Sequence, residues 1–446
     1  MEELARQKIL VLGLGVSGRS AASFCAARGA EVVAADEREP SAIEGVDAVG
    51  GAVELALGAP FPDPADFDLV VPSPGVPAER YRDRARRVWG DVELAYRALS
   101  IPIIAITGTN GKSTTTLLAE AMLRAAGFRA RAAGNLGTPA LDLVGEGLDF
   151  AVLEVSSFQL ETTEAFRPAI AAVLNITPDH LDRHGSLAAY ASAKARIVAR
   201  QEACDVAVLN FDDPRTRALA TETKARVIPY RCSGPAPGGA WLDTGAVVLS
   251  HESGSTTRVS LDGMHLAGAH NLENAVAALT IVTAAGADPS RAAAALASFS
   301  GLPHRSEVVG RHGGVTWVND SKATNAGAAM RALAGFAEPV IWIAGGRDKG
   351  LDFSELADVA AERIRAAVLI GEAAGKLETA LAGRVEVRTA ASLEEAVGFA
   401  SSLAGDGGVV LLAPACASQD QFQDFAERGD RFRRAVKRLA REGAVP

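Results

Sequence analysis

The stretch Ile103 to Thr116, IIAITGTNGKSTTT, constrains this chain more than any other. An apolar, β-branched run breaks at Gly108 and Gly111, and a helix-compatible run from Ser113 to Ala126 follows at once. That order, strand then glycine loop then helix, predicts a phosphate cradle. The glycines allow backbone N–H groups to turn inward around an anion, and the helix N-terminus adds partial positive charge. Lys112 is placed to reach terminal phosphates, and the Ser113 or Thr114 hydroxyl to touch Mg²⁺. The usual spacing sets a glycine five places before Gly111, where this chain has Ile106, so TGTNGKST is a variant P-loop.

At 446 residues the chain has room for two to four domains. Its net charge of −9 argues against nucleic acid as a main partner, because phosphate backbones demand a basic surface. Cys25, Cys204, Cys232 and Cys416 are far apart and form no C-x-x-C pair, as expected of reduced thiols and not of a zinc site. No secretory leader pattern and no apolar run of spanning length is present, which predicts a soluble cytoplasmic protein without membrane insertion. Only eight lysines accompany thirty-seven arginines. A retained lysine is therefore informative, marking a need for a compact or titratable amine.

Residues 8–36 carry a buried strand, G-x-G-x-x-G at Gly13, Gly15 and Gly18, an Ala-rich helix and a second strand ending in Asp36. This is a dinucleotide-type βαβ signature that reports a nucleotide diphosphate without identifying it as NAD. A strand over 68–71 runs into Pro72-Ser73-Pro74-Gly75, which either holds a further phosphate or is a plain turn. In the second segment, the strand Phe150 to Val155 buries Glu154, whose charge calls for a cation: Mg²⁺ or a structural ion pair. The strand from Ile170 to Asn175 leads to His180 and His184, which either face the crevice beyond the strand ends or are surface residues. Lys194 lies in ASAKARI, and residues 226–265 read as a small antiparallel insertion. In the third segment, strands at 315–319, 340–344 and 408–412 end in polar loops expected to line one crevice. The pattern predicts an α/β chain of three domains: 1–96 Rossmann-like, 97–302 a P-loop ATPase-type parallel sheet with the insertion, and 303–446 again Rossmann-like.

With these motifs in hand, the chain resembles the Mur ligases of bacterial cell-wall synthesis. TGTNGKST is shared across that family and nearly with folylpolyglutamate synthases. SSFQLE (156–161), HNLENAVAAL (270–279), GLPHR (301–305), NDSKATN (319–325) and PACASQDQF (414–422) are more specific and follow the family's order. The resemblance implies ATP-dependent addition of D-glutamate to UDP-N-acetylmuramoyl-L-alanine through an acyl phosphate, by a monomer. It implies that Gly15, Val16, Ser17 and Ser73 hold the diphosphate, with Asp36 and Arg38 near the uracil. Asn135 and Ser156 would meet the muramoyl substrate. ATP would engage Gly108, Thr109, Asn110, Gly111, Lys112, Ser113 and Thr114, with Asn271 on adenine and Arg305 and Asp320 toward the γ-phosphate and ribose. Two Mg²⁺ ions would be held by Ser113, Glu154, His180 and Lys194, the last as a carbamate. D-Glutamate would meet Lys349, Thr324, Ser418 and the backbone near Phe425, with Lys322 close by. Two other classes compete: a dehydrogenase, on the glycine fingerprint and Asp36, and a non-enzymatic P-loop switch. A folylpolyglutamate synthase-like ligase is the nearer rival, but it is not expected to carry the N-terminal βαβ unit.

Overall fold

A computed structural model of the chain describes residues 2–250, 254–264, 268–299, 301–348, 350, 352–405 and 407–442. Its strands form three sheets, each built from a stretch in which β-branched and aliphatic residues are buried. The first is four-stranded, in the order β3-β2-β1-β4, and wholly parallel: β1 (Lys8–Leu12), β2 (Glu31–Asp36), β3 (Val53–Leu57) and β4 (Leu69–Pro72). β3 has no counterpart in the sequence reading. VELAL lies at a sheet edge and is buried only at Val53, with Glu54 and Leu55 exposed, and so lacks the continuous apolar run that marks a buried parallel strand.

The second sheet has nine strands in the order β13-β12-β11-β10-β9-β8-β5-β7-β6. They are β5 (Ile103–Thr107), β6 (Ala130–Gly134), β7 (Phe150–Glu154), β8 (Ile170–Val173), β9 (Val206–Asn210), β10 (Arg226–Arg231), β11 (Ala240–Asp243), β12 (Ala246–Ser250) and β13 (Thr256–Ser260). β5 is buried at all five positions and lies between β7 and β8, so the loop after it opens at the middle of the parallel part. The antiparallel residues extend this sheet at one edge: β10 still runs parallel to β9 and β11, and β12 and β13 then reverse.

The third sheet is ordered β14-β15-β19-β16-β17-β18. β14 (Glu307–His312) is antiparallel to β15 (Val315–Asn319), while β16 (Val340–Gly345), β17 (Ile364–Ile370), β18 (Glu386–Thr389) and β19 (Gly408–Leu412) run parallel to their neighbours. The chain divides into two compact units, one of Met1–Asp262 with Ala275–Ala295 and one of Gly263–Asn274 with Leu296–Pro446. The first two sheets fall in the former and the third in the latter. No helix among the described residues is long and apolar enough to cross a membrane.

Candidate active site

In the first unit, the glycine loop after β1 is shaped by close backbone approach. Gly13 adopts φ +81°, and a Cβ on Gly18 would lie 1.9 Å from the Gly13 carbonyl oxygen, a contact only glycine allows. Ser73 Oγ donates to that same carbonyl at 2.6 Å, tying the Pro-Ser-Pro-Gly turn to the loop. Arg183 holds the turn from its other side, donating to the carbonyls of Pro74 at 2.8 Å and Val76 at 3.3 Å. The two loops open on a cleft of about 540 Å³ lined by Gly15, Val16, Ser17, Arg38, Ser73 and Asn135 among others. These residues, picked out one by one from the sequence, thus meet in a single cleft.

Asp36 also borders the cleft, yet both its oxygens are engaged. Oδ2 accepts from the Leu14 N–H at 2.7 Å, and the Arg38 guanidinium spans both oxygens at 2.7 and 2.9 Å. These hydrogen bonds, Arg38 first, hold the carboxyl down at about 2. Asp36 fixes the loop and aims Arg38. Sequence reasoning passed over Gln159, although it sits inside SSFQLE. Gln159 reaches the cleft and donates from Nε2 to Oδ2 of the buried Asp91 at 2.9 Å, while Asp91 Oδ1 is buried without a hydrogen-bond partner. Burial raises the Asp91 carboxyl above the usual range. Ser156, by contrast, caps the helix Ser157–Leu160 in a reciprocal pair with Gln159.

The P-loop leaves β5 and enters the helix Lys112–Ala125 through Gly111 at φ +84°. Asn175 brackets it, with its side chain accepting from the Asn110 N–H at 2.9 Å and donating to the Asn110 carbonyl at 3.1 Å. Lys112 Nζ donates to the carbonyls of Gly108 and Thr109, each at 3.0 Å. Lys194 comes to the same place from the helix Leu187–Ala199: it is 1 % exposed and its Nζ is 2.7 Å from the Gly108 carbonyl oxygen. Desolvation, and then the neighbouring Lys112 charge, push its amine well below the ordinary lysine range. Tyr190 lies beneath, with its ring centroid 4.7 Å from Lys194 Nζ and its hydroxyl donating to Thr109 Oγ1 at 3.2 Å. Only the helical neighbourhood of Lys194 hinted at Tyr190. Ser113 and Thr114 are buried on the first turn.

Glu154, at the end of β7, is 2 % exposed. Oε1 accepts from Asn135 Nδ2 at 2.9 Å, while Oε2 is buried without a hydrogen-bond partner. A buried carboxylate oxygen left in that state is what a hard cation such as Mg²⁺ satisfies, so this residue fits the metal role. His180 is half exposed, has the left-handed φ of +52° and lies tilted against Phe158, ring centroids 4.9 Å apart. His184 is a different case: its ring is enclosed, contacts Ser157 Oγ at 3.0 Å and Glu161 at 3.1 Å, and is kept toward the neutral form by burial. Among the described residues no three His, Cys, Asp or Glu side chains form a ready metal cluster. Ser113 and Lys194 are the other donors named for the metal.

In the second unit, Asn271 is buried and accepts from Asn274 Nδ2 at 3.1 Å. Asp320 accepts from Ser306 Oγ at 3.4 Å, and desolvation lifts its carboxyl to about 6 against the pull of Arg305. His270 Nε2 is 2.9 Å from the same Ser306 hydroxyl, and its Nδ1 is buried without a partner. Lys322 Nζ lies 3.9 Å from the Phe425 ring centroid, and Thr324 bonds back to the Lys322 carbonyl at 2.8 Å. Ser418 is buried and its Oγ has no partner. Lys349 lies outside the described residues.

The chain matches the Mur ligase MurD-like N-terminal domain over 7–83, the Mur ligase middle domain over 106–282, and the Mur ligase glutamate ligase domain over 304–416. It is 43 % identical to the UDP-N-acetylmuramoylalanine–D-glutamate ligase of Geobacter metallireducens, over 98 % of each chain. Among solved structures it resembles the MurF ligase of Thermotoga maritima in complex with ADP, with a TM-score of 0.62, 17 % identity, and 100 % of this chain and 97 % of that one covered. It also resembles the UDP-N-acetylmuramate–alanine ligase MurC of Thermotoga maritima, with a TM-score of 0.61, 18 % identity, and 98 % and 100 % covered. With three family domains in order and a relative matched end to end, the chain belongs to the Mur ligase family.

Proposed function

We propose that this chain is an ATP-dependent ligase that adds D-glutamate to UDP-N-acetylmuramoyl-L-alanine in peptidoglycan precursor synthesis. The observation that carries this reading is the end-to-end match to a D-glutamate ligase, in a chain whose cleft and P-loop suit a nucleotide-linked substrate and ATP. The dehydrogenase alternative loses its main support because Asp36, the carboxylate that would meet a ribose, is saturated by Leu14 and Arg38.

The chemistry follows from charge. The alanyl carboxylate attacks the γ-phosphorus of ATP and the bond to the bridging oxygen breaks, giving an acyl phosphate and ADP. The amine of D-glutamate then adds to the acyl carbon, loses a proton, and expels phosphate to leave the amide. Negative charge gathers on the transferring phosphoryl group, so preorganised positive charge at the P-loop is the main source of acceleration. Lys112 would exchange its contacts with the Gly108 and Thr109 carbonyls for phosphate oxygens, while Asn175 keeps the loop open. Burial pushes Lys194 toward the neutral amine, the form that would react with CO₂ to give a carbamate. Glu154, His180, Ser113 and carbamoylated Lys194 would hold Mg²⁺, which supplies Lewis-acid neutralisation of phosphate charge when bound. Asn135 links the cleft to Glu154, so the same side chain that meets the muramoyl substrate orients a metal ligand. Ser418, Thr324, Lys322, Lys349 and the backbone near Phe425 would receive the two carboxylates of D-glutamate. We further infer a monomer that works in the cytoplasm, where ATP and UDP-linked precursors meet.

Phosphate release from ATP tests this directly, measured with UDP-N-acetylmuramoyl-L-alanine and with D-glutamate, L-glutamate or no amino acid. Release that requires both the UDP substrate and D-glutamate is expected. Release indifferent to the UDP substrate, or preferring L-glutamate, would overturn the assignment.

A further inference from the structure

The second unit buries an arginine completely. Arg428, on the helix Phe425–Glu442, is 0 % exposed, and no carboxylate among the described residues forms an ion pair with it. All its hydrogen bonds go to two strand-end loops. Nε donates to Ser321 Oγ at 3.0 Å, Nη1 to the carbonyls of Cys416 and Ala417 at 3.2 and 3.3 Å, and Nη2 to the carbonyls of Ser321 and Cys416 at 2.9 and 3.2 Å. Five N–H donors therefore meet five acceptor contacts. Ser321 Oγ, having accepted from Arg428, donates to the Phe425 carbonyl at 2.8 Å and closes the loop back onto the helix that bears the arginine.

A desolvated guanidinium without a carboxylate partner is an expensive way to hold a core together, and apolar residues of similar volume do that better. Its position gives it another use. Ser321 leads into Lys322 and Thr324, Cys416 and Ala417 lead into Ser418, and Phe425 lies one turn before Arg428 on its own helix. The Ser418 hydroxyl is 1 % exposed as a residue and has no hydrogen-bond partner, a group left for something else to satisfy.

We propose that Arg428 is the positioning residue of the amino-acid subsite: its planar fork sets the loops that carry Thr324 and Ser418 and the backbone at Phe425, where the carboxylates of the amino acid would be received. Arg428 touches no substrate in this role; it acts through the two loops. The inference rests on the D-glutamate reading above. A lysine supplies the same charge but has three donors on one atom and no planar fork, so it does not replace the arginine.

The test is steady-state kinetics of Arg428→Lys and Arg428→Met, varying each substrate in turn, with folding checked by binding of UDP-N-acetylmuramoyl-L-alanine. Arg428→Lys is expected to raise the KM for D-glutamate on the order of 10-fold, the loss typical of a displaced charge-assisted hydrogen bond, with the KM for ATP and the UDP substrate within about twofold of wild type. Arg428→Met is expected to raise it further. A wild-type KM for D-glutamate in Arg428→Lys would overturn the inference, as would a parallel rise in all three constants or a fall in kcat alone. Failure of both variants to fold would make Arg428 a plain core residue and also overturn it. A wild-type enzyme that ignores D-glutamate would instead refute the functional reading, and the two failures are thereby distinguished.

Discussion

At the scale of single residues, the two lysines that share the Gly108 carbonyl make separable predictions. Lys112→Ala should reduce phosphate release on the order of 10²–10³-fold or more, because it removes a preorganised charge from the transferring phosphoryl group. Turnover near wild type would refute that role. Lys194→Ala should lose activity and regain part of it with acetate or formate, each a carboxylate small enough to stand where the carbamate would be. An absence of rescue across both acids would remove the carbamate from the argument. His270 and Asp320 make a third prediction through the hydroxyl of Ser306 that they share. Burial, assisted by Arg331, lowers the His270 ring from 6.5 to about 4, so its contribution to stability is present above 6.5 and fades as pH falls toward 4. Burial raises Asp320 from 3.8 to about 6, so its contribution is present below 3.8 and fades as pH rises through 6. The two slopes oppose one another between pH 4 and 6. Asp320→Asn should therefore unmask the histidine, and chemical denaturation at several pH values should find stability falling more steeply from pH 6 to 4 than in wild type. A variant profile as flat as that of wild type would contradict the opposition.

At the scale of elements, the crossing of the helix Val16–Ala26 over the loop after β1 depends on one missing methyl group. Gly18→Ala should place its Cβ 1.9 Å from the Gly13 carbonyl and 2.7 Å from Ser73 Oγ, forcing the two cleft loops apart. The overpacking is expected to cost about 1–3 kcal/mol in stability and to raise the KM for the UDP substrate while leaving that for ATP unchanged. Equal effects on both substrates would show that the contact does not belong to the cleft. Glycine spacing alone made this crossing readable, as it did the P-loop, since both depend on backbone geometry that few residues permit. Strands buried on both faces were equally legible, whereas β3, an edge strand buried only at Val53, was not. Partner-dependent features were beyond the reach of a linear pattern. Asp36 could be identified as the acid at the end of a strand, but its capture by Leu14 and Arg38 depends on how the loop returns. Gln159 and Asp91 are separated by 68 positions, and Arg428 by 107 from Ser321; no local spacing relates them.

At the scale of the molecule, an acidic chain that takes highly anionic substrates has to concentrate cations locally rather than present a basic surface. Under the proposed function, Arg38 and Lys112 would supply this charge in the first of the two compact units, which contains the first two sheets. The 540 Å³ cleft is lined wholly by residues of the first of these units. A ligand that binds only the native form of one unit stabilises that unit, by about 2.7 kcal/mol at a hundredfold excess over Kd. Where the two units melt as separate transitions in scanning calorimetry, UDP-N-acetylmuramoyl-L-alanine should raise the transition of the first and leave the second in place. The buried Trp317 and Trp342 belong to the third sheet, so in a variant with Trp89 and Trp241 of the first unit replaced by Phe, their fluorescence identifies which transition is which. An equal upward shift in the transition they report would mean that residues of the second unit also hold the UDP substrate, and the cleft described here would then be only part of its site.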